Sequence, residues 1–177
     1  MVAIVIADAS PLIGLTRVSG VSWLKVLFGV VLLPSVVADG LLTRLFPDQG
    51  FLIWKVATEA GWLRLAATIG TGPALPDLDE GEAASIRLAL SFSPANSTLL
   101  LIDERAGLAT AMEFGLRLAG TAAAIGMARQ RGLIPSARAV FAELHASDFR
   151  ISVAVIETVL NQCGAADLRQ WHNPPRR

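Results

Sequence analysis

Leu99-Leu100-Leu101-Ile102-Asp103-Glu104-Arg105 is the stretch that decides the fold. With Thr98 before it, the run stays apolar to Ile102 and then stops at two carboxylates. A short run with no polar alternation reads as a strand buried on both faces. A carboxylate at the C-terminal end of such a strand stands on the rim of a parallel sheet, where open α/β folds hold their ligands. The chain begins in the same way: Val2-Ala3-Ile4-Val5-Ile6-Ala7 ends at Asp8. If the two strands are neighbours, Asp8 and Asp103 face one crevice.

Outward from that pair, strands alternate with helices. Ser10-Pro11 opens a helix, with Ser10 as its N-cap and Pro11 at its first position. Trp23 to Phe28 is a second helix closed by Gly29, and Val30 to Leu33 a second buried strand. A helix follows from Pro34 to about Leu45, with Val36, Val37, Leu41 and Leu45 inward. Pro47-Asp48-Gln49-Gly50 is a turn, Phe51 to Ala60 a helix, Trp62 to Ala66 a strand and Thr68 to Pro76 a loop. Further helices are expected over Glu80–Phe92, Glu104–Phe114, Ala122–Gln130, Pro135–Leu144 and Val153–Gln162, the last capped by Ser152. Leu116 to Ala119 is a fifth strand. This alternation implies a parallel sheet with right-handed crossovers. One domain is expected over residues 1–163, with residues 164–177 as a flexible tail.

Composition narrows the function. The chain has 177 residues, 53% of them hydrophobic, and a mean hydropathy of +0.55. No apolar run reaches the roughly 18 residues of a membrane span, because Lys25 and Pro34 interrupt Val21 to Ala38. Nor does the N-terminus carry a basic region and cleavage site. A cytoplasmic protein with no membrane partner is expected. Cys163 is the one cysteine, and His145 and His172 are the two histidines. That excludes a disulfide framework and a thiolate or zinc cluster. The formal net charge of +0 gives no global pull toward nucleic acid. A polyanionic substrate would need bound cations or a local basic patch.

Carboxylates stand beside turns or strand ends at Asp8, Asp39, Glu82 and Asp103-Glu104. Converging on one rim, they would suit a hard divalent cation such as Mg²⁺, which takes oxygen ligands. Without cations they would raise one another's pKa. Each residue also has a plain structural reading. Asp8 can cap the Ser10-Pro11 turn. Asp79-x-x-Glu82 fits a capping box. Asp103 can cap the helix beginning at Glu104, and Asp39 can be a solvated helix residue. Rival chemistries lack their motifs: there is no Gly-x-Ser-x-Gly elbow, no P-loop and no Gly-x-Gly-x-x-Gly. The basic residues are mainly arginines, which bind phosphate bidentately. Arg105, next to the acidic pair, is the one most suited to a substrate phosphate.

Three motifs in this order resemble the PIN-domain superfamily, in particular its VapC-like branch. They are Asp8-Ala9-Ser10-Pro11-Leu12-Ile13, Gly81-Glu82-Ala83 and Ile102-Asp103-Glu104-Arg105. Leu116 to Thr121, Arg131 to Pro135 and Phe149 to Ser152 fit the same branch. The resemblance implies a three-layer α/β/α sandwich with a central parallel sheet. It implies a Mg²⁺- or Mn²⁺-dependent endoribonuclease, often a homodimeric toxin blocked by a small antitoxin protein. Asp8, Glu82 and Asp103 would be the catalytic metal ligands, supported by Glu104. Ser10, Arg105 and Thr121 would face the RNA substrate.

One position departs from the pattern. The family's Pro-x-x-Val-x-x-Glu becomes Pro34, Val37 and Gly40 here. Asp39 is one residue early, so on a helix it is turned by about 100° from that place. It is carried as a candidate ligand nonetheless. A catalytically degenerate PIN-like protein that acts as a binding or regulatory module therefore stays open, and apart from that departure so does a doubly wound small-ligand or phosphoacceptor domain in which Asp8 or Asp103 is modified.

Overall fold

The computed structural model describes residues 4–44, 59–67, 70–92, 94 and 97–164. Within them the chain forms β1 (Ile4–Ala7), α1 (Ala9–Arg17), α2 (Trp23–Phe28), β2 (Val31–Pro34), α3 (Ser35–Arg44) and β3 (Leu63–Ala66). It continues with α4 (Glu80–Leu90), β4 (Thr98–Leu101), α5 (Arg105–Glu113), β5 (Arg117–Ala119), α6 (Thr121–Gln130), α7 (Ala137–Ala146) and α8 (Val153–Cys163). The expected turn at Pro47–Gly50, most of the Phe51–Ala60 helix, Leu45 and the tail beyond Gly164 lie outside the described residues.

All five strands are parallel, in the order β3-β2-β1-β4-β5. β1 and β4 are neighbours, with Ile4 opposite Thr98 and Ala7 opposite Leu101. The juxtaposition of the two strands that end at Asp8 and Asp103 is therefore real. It also marks the topological switch point. From β1 the chain builds outward to β2 and β3, then returns to the other side of β1 for β4 and β5. Open α/β sheets bind ligands at that reversal, beyond the carboxyl ends of the strands.

Strand side chains alternate between the two faces of a sheet, and the core divides accordingly. Val5, Ala7, Leu99 and Leu101 join one cluster with residues of α1, α2, α3, α6, α7 and α8. Ile6, Leu100 and Ile102 join a second cluster with Ile86 and Ala89 of α4 and Ala111 of α5. The result is a three-layer α/β/α sandwich, as the resemblance implied. All four residues of β4 are buried, as a strand covered on both faces requires.

Several helix starts differ from expectation by one residue, and two differ by two residues for one physical reason. A side-chain oxygen able to accept a backbone N–H sets the N-cap. α1 is capped by Asp8, whose Oδ2 accepts the Ser10 amide at 3.4 Å, rather than by Ser10. Pro11 then falls in the first turn, where its missing N–H is tolerated. α7 is capped by Ser136, whose Oγ accepts the Ala139 amide at 3.2 Å, so Pro135 stays outside the helix. Ser152 caps α8 as expected. Among the described residues, no helix is long and apolar enough to cross a membrane.

Candidate metal-dependent active site

A crevice of about 460 Å³ opens at the switch point. Three elements supply its carboxylates. Asp8 ends β1, Glu104 follows β4, and Asp79, Glu80 and Glu82 come from the start of α4. Val36, Val37 and Gly40 of α3 form another wall. Arg105 is the one cationic side chain in this lining.

Asp8 is 3% exposed and Glu82 5% exposed. Burial pushes the Asp8 carboxyl up to about 6, against the Ala9 and Ser10 amides, with Asp79 and Glu82 adding to the rise. Burial also raises Glu82, opposed by the Asp79 and Gly107 amides and reinforced by the charges of Asp79 and Glu104. Both shifts record carboxylates held out of water close to other carboxylates.

The capping box read as the plain alternative for Glu82 is present in full. Asp79 Oδ1 accepts the Glu82 amide at 2.8 Å, and Glu82 Oε2 accepts the Asp79 amide at 3.1 Å. The box uses only one Glu82 oxygen. The other, Oε1, is buried without a well-formed hydrogen bond, although the Gly107 amide lies near enough to favour the charged carboxylate. It lies beside Gly107, where an added Cβ would come within 2.8 Å of it. A buried acceptor without a donor costs about 1–3 kcal/mol, and a cation is one way to satisfy it.

Asp103 is at the same rim but faces the other way. Its oxygens accept the Thr121 amide at 2.8 Å and the Thr121 hydroxyl at 2.6 Å. It does not cap α5, whose N-cap position is Glu104. Burial raises its pKa, against the two Thr121 hydrogen bonds. Glu104, not Asp103, lines the crevice, and the Ser10 hydroxyl donates to Glu104 Oε1 at 3.2 Å. Asp39 is exposed on α3 and outside this lining, whereas Gly40 faces the crevice. The helical turn between adjacent residues accounts for that difference.

Of the eight sequence candidates, the crevice thus gathers Asp8, Ser10, Glu82, Glu104 and Arg105. Asp103 and Thr121 form an adjoining pair, and Asp39 stands apart. Asp79 was read only as a cap, and its place on the crevice wall was missed. The available clue was the spacing Asp79-x-Gly81-Glu82, which sets two acidic residues around a glycine with no side chain to separate them.

Among the described residues, no group of three or more Asp, Glu, His or Cys side chains is arranged to hold a metal ion. The donor set instead fits a hard cation that keeps several waters, as Mg²⁺ does. The buried, unpartnered Glu82 Oε1 is the observation that supports this fit.

Parallel strands, helices on both faces and an acidic crevice at the strand reversal define an open α/β protein. A family model described as a PIN domain matches residues 4–165, and the chain belongs to that family. PIN domains are typically nucleases. Searches of curated proteins and of solved structures return no match.

Proposed function

We propose that this protein is a Mg²⁺- or Mn²⁺-dependent endoribonuclease of the VapC-like branch, and the toxin of a toxin–antitoxin pair. Its partners would be RNA, a small antitoxin protein and a second copy of itself. The observation that carries the reading is the pairing of two buried carboxylates, Asp8 and Glu82, in one open crevice. A divalent ion held by these carboxylates would supply water activation and charge neutralisation at the phosphate.

The chain's own residues divide the remaining work. Asp8, Glu82 and Glu104 would hold the cation, and Asp103, which accepts two hydrogen bonds from Thr121, stands at the same rim. Ser10 orients Glu104 through its hydroxyl. Arg105 makes no ion pair among the described residues, which leaves its guanidinium for a phosphate. Hydrolysis places the water's oxygen on phosphorus and a proton on the departing 3′ oxygen. The products are a 5′-phosphate and a 3′-hydroxyl.

The test is RNA cleavage by purified Asp8→Asn and Asp103→Asn proteins that keep the native circular dichroism spectrum. Both should lose activity. Wild-type cleavage by both would overturn the assignment.

Gly40 favours a second reading, because α3 brings no carboxylate to the crevice. A non-cleaving PIN-like binding module would have the same fold. Calorimetric titration with Mn²⁺ separates the two, since a chain that binds no Mn²⁺ cannot run the hydrolysis.

A further inference from the structure

We propose that Phe149 is a positioning residue for the site: its ring, beside Gly14 and the Thr121 hydroxyl, keeps that hydroxyl on Asp103. This rests on the nuclease reading above, and it gives work to the motif at residues 149–152, which that reading leaves idle.

Three parts of the chain meet at Gly14 in α1. A Cβ built on Gly14 would lie 2.7 Å from Thr121 Oγ1, 2.8 Å from Phe149 Cζ and 3.0 Å from Phe149 Cε2. The hydroxyl from the start of α6 and the ring from the α7–α8 connection therefore share the slot that a residue without a side chain leaves on α1. Thr121 is fully buried, and its hydroxyl donates to Asp103 Oδ2 at 2.6 Å. The ring is thus one side chain removed from a carboxylate at the rim. A rigid apolar wall beside the hydroxyl excludes water, and in dry surroundings the bond to a carboxylate is stronger. A smaller side chain opens the slot to water, which competes with Asp103 for the hydroxyl.

The connection is built to hold the ring there. Ser147 Oγ accepts the Phe149 amide at 3.1 Å and donates to the Leu144 carbonyl at 2.6 Å. Arg17, three residues on from Gly14 and so on the same face of α1, pairs with Asp148 at 3.1 Å. With the Asp148 side chain 75% exposed, the pair contributes little to stability but aligns the connection with α1. The ring, packed with Ile151 against the larger core cluster, adds the apolar contact.

Positioning and plain packing separate in a double-mutant cycle. Thr121→Val removes the hydroxyl through which the ring acts. The experiment measures kcat and KM for RNA cleavage, and urea denaturation in EDTA, for wild type, Phe149→Ala, Phe149→Leu, Thr121→Val and the Phe149→Ala/Thr121→Val double variant. We expect Phe149→Ala to lower kcat about tenfold with KM unchanged, the scale seen when groups that support a metal ligand are lost. Phe149→Leu, which refills most of the slot, should recover most of the rate. In the Thr121→Val background, Phe149→Ala should lower kcat no further. The shift in urea midpoint caused by Thr121→Val should shrink once residue 149 is alanine. Should Phe149→Ala fail to fold, Phe149→Val runs the same cycle. An equal fall in kcat with and without the hydroxyl, or additive midpoint shifts, would overturn the proposal, since packing alone predicts both. So would a folded Phe149→Ala protein with wild-type kcat. A wild-type chain that cleaves no RNA would overturn the nuclease reading instead, while the urea cycle still reports on the ring and the hydroxyl, so the two failures are distinguishable.

Discussion

Thr121 holds both carboxylate oxygens of Asp103, one through its amide at 2.8 Å and one through its hydroxyl at 2.6 Å. Thr121 is fully buried at the start of α6. Its clamp fixes where the residue after β4 points and leaves Glu104 facing the crevice. Hydrogen bonds to charged groups contribute about 1.5–3 kcal/mol. Thr121→Val keeps the amide bond and the shape but removes the hydroxyl bond. Urea denaturation should show a loss in that range, and RNA cleavage should fall with it. Unchanged stability and cleavage would mean that the hydroxyl is idle.

Gly120 is required by the same clamp. A Cβ there would collide with Asp103 Oδ1 and come within 3.2 Å of the Ile102 carbonyl oxygen. The neighbour in the way is a held carboxylate and backbone, so neither can yield easily. Gly120→Ala should cost about 1–3 kcal/mol and displace Asp103. The check is denaturation alongside cleavage. Gly40→Ala is the control, since its Cβ meets nothing and stability should hold or rise slightly.

These contacts show why some of the site was legible in the sequence and some was not. Asp8 and Asp103 announce themselves because an apolar strand stops at each, and strand ends define a rim. The alternation of strands and helices gave the layers. Neither pattern reports side-chain direction. Asp103 turns to Thr121 because the start of α6 offers it two donors, the Thr121 amide and hydroxyl, which no local pattern around residue 103 reveals. Asp79 was hidden by its own capping box, a local explanation that is correct and incomplete. Asp39 and Gly40 were separated by helical rotation alone, and the structure bears out that rotation.

Arg105 should act on substrate and not on stability. It is exposed, and no ion pair among the described residues holds it. Arg105→Ala should leave the melting temperature unchanged and raise the KM for RNA about tenfold, as loss of a charge-assisted phosphate contact would. Arg105→Lys should recover part of that, because lysine keeps the charge but not the bidentate geometry. Equal KM for all three proteins would remove Arg105 from the substrate site.

The carboxylate cluster should make metal-free stability fall as pH rises. The Asp8 carboxyl shifts from 3.8 to about 6 on folding, so between those values the folded chain keeps a proton that the unfolded chain releases. Stability is therefore greatest below the window, declines across it, and levels off above about 6. The shift corresponds to roughly 3 kcal/mol, and Glu82 and Asp103 move in the same direction. A cation needs the ionised carboxylates, so its binding expels protons and strengthens with pH. Urea denaturation in EDTA at about pH 5 and pH 7 should show the decline, and Mn²⁺ should reverse it at pH 7 while doing little at pH 5. Asp8→Asn should flatten the slope in EDTA and blunt the response to Mn²⁺. A wild-type chain whose metal-free stability rises from pH 5 to 7 would show that these carboxylates are not held as the crevice places them.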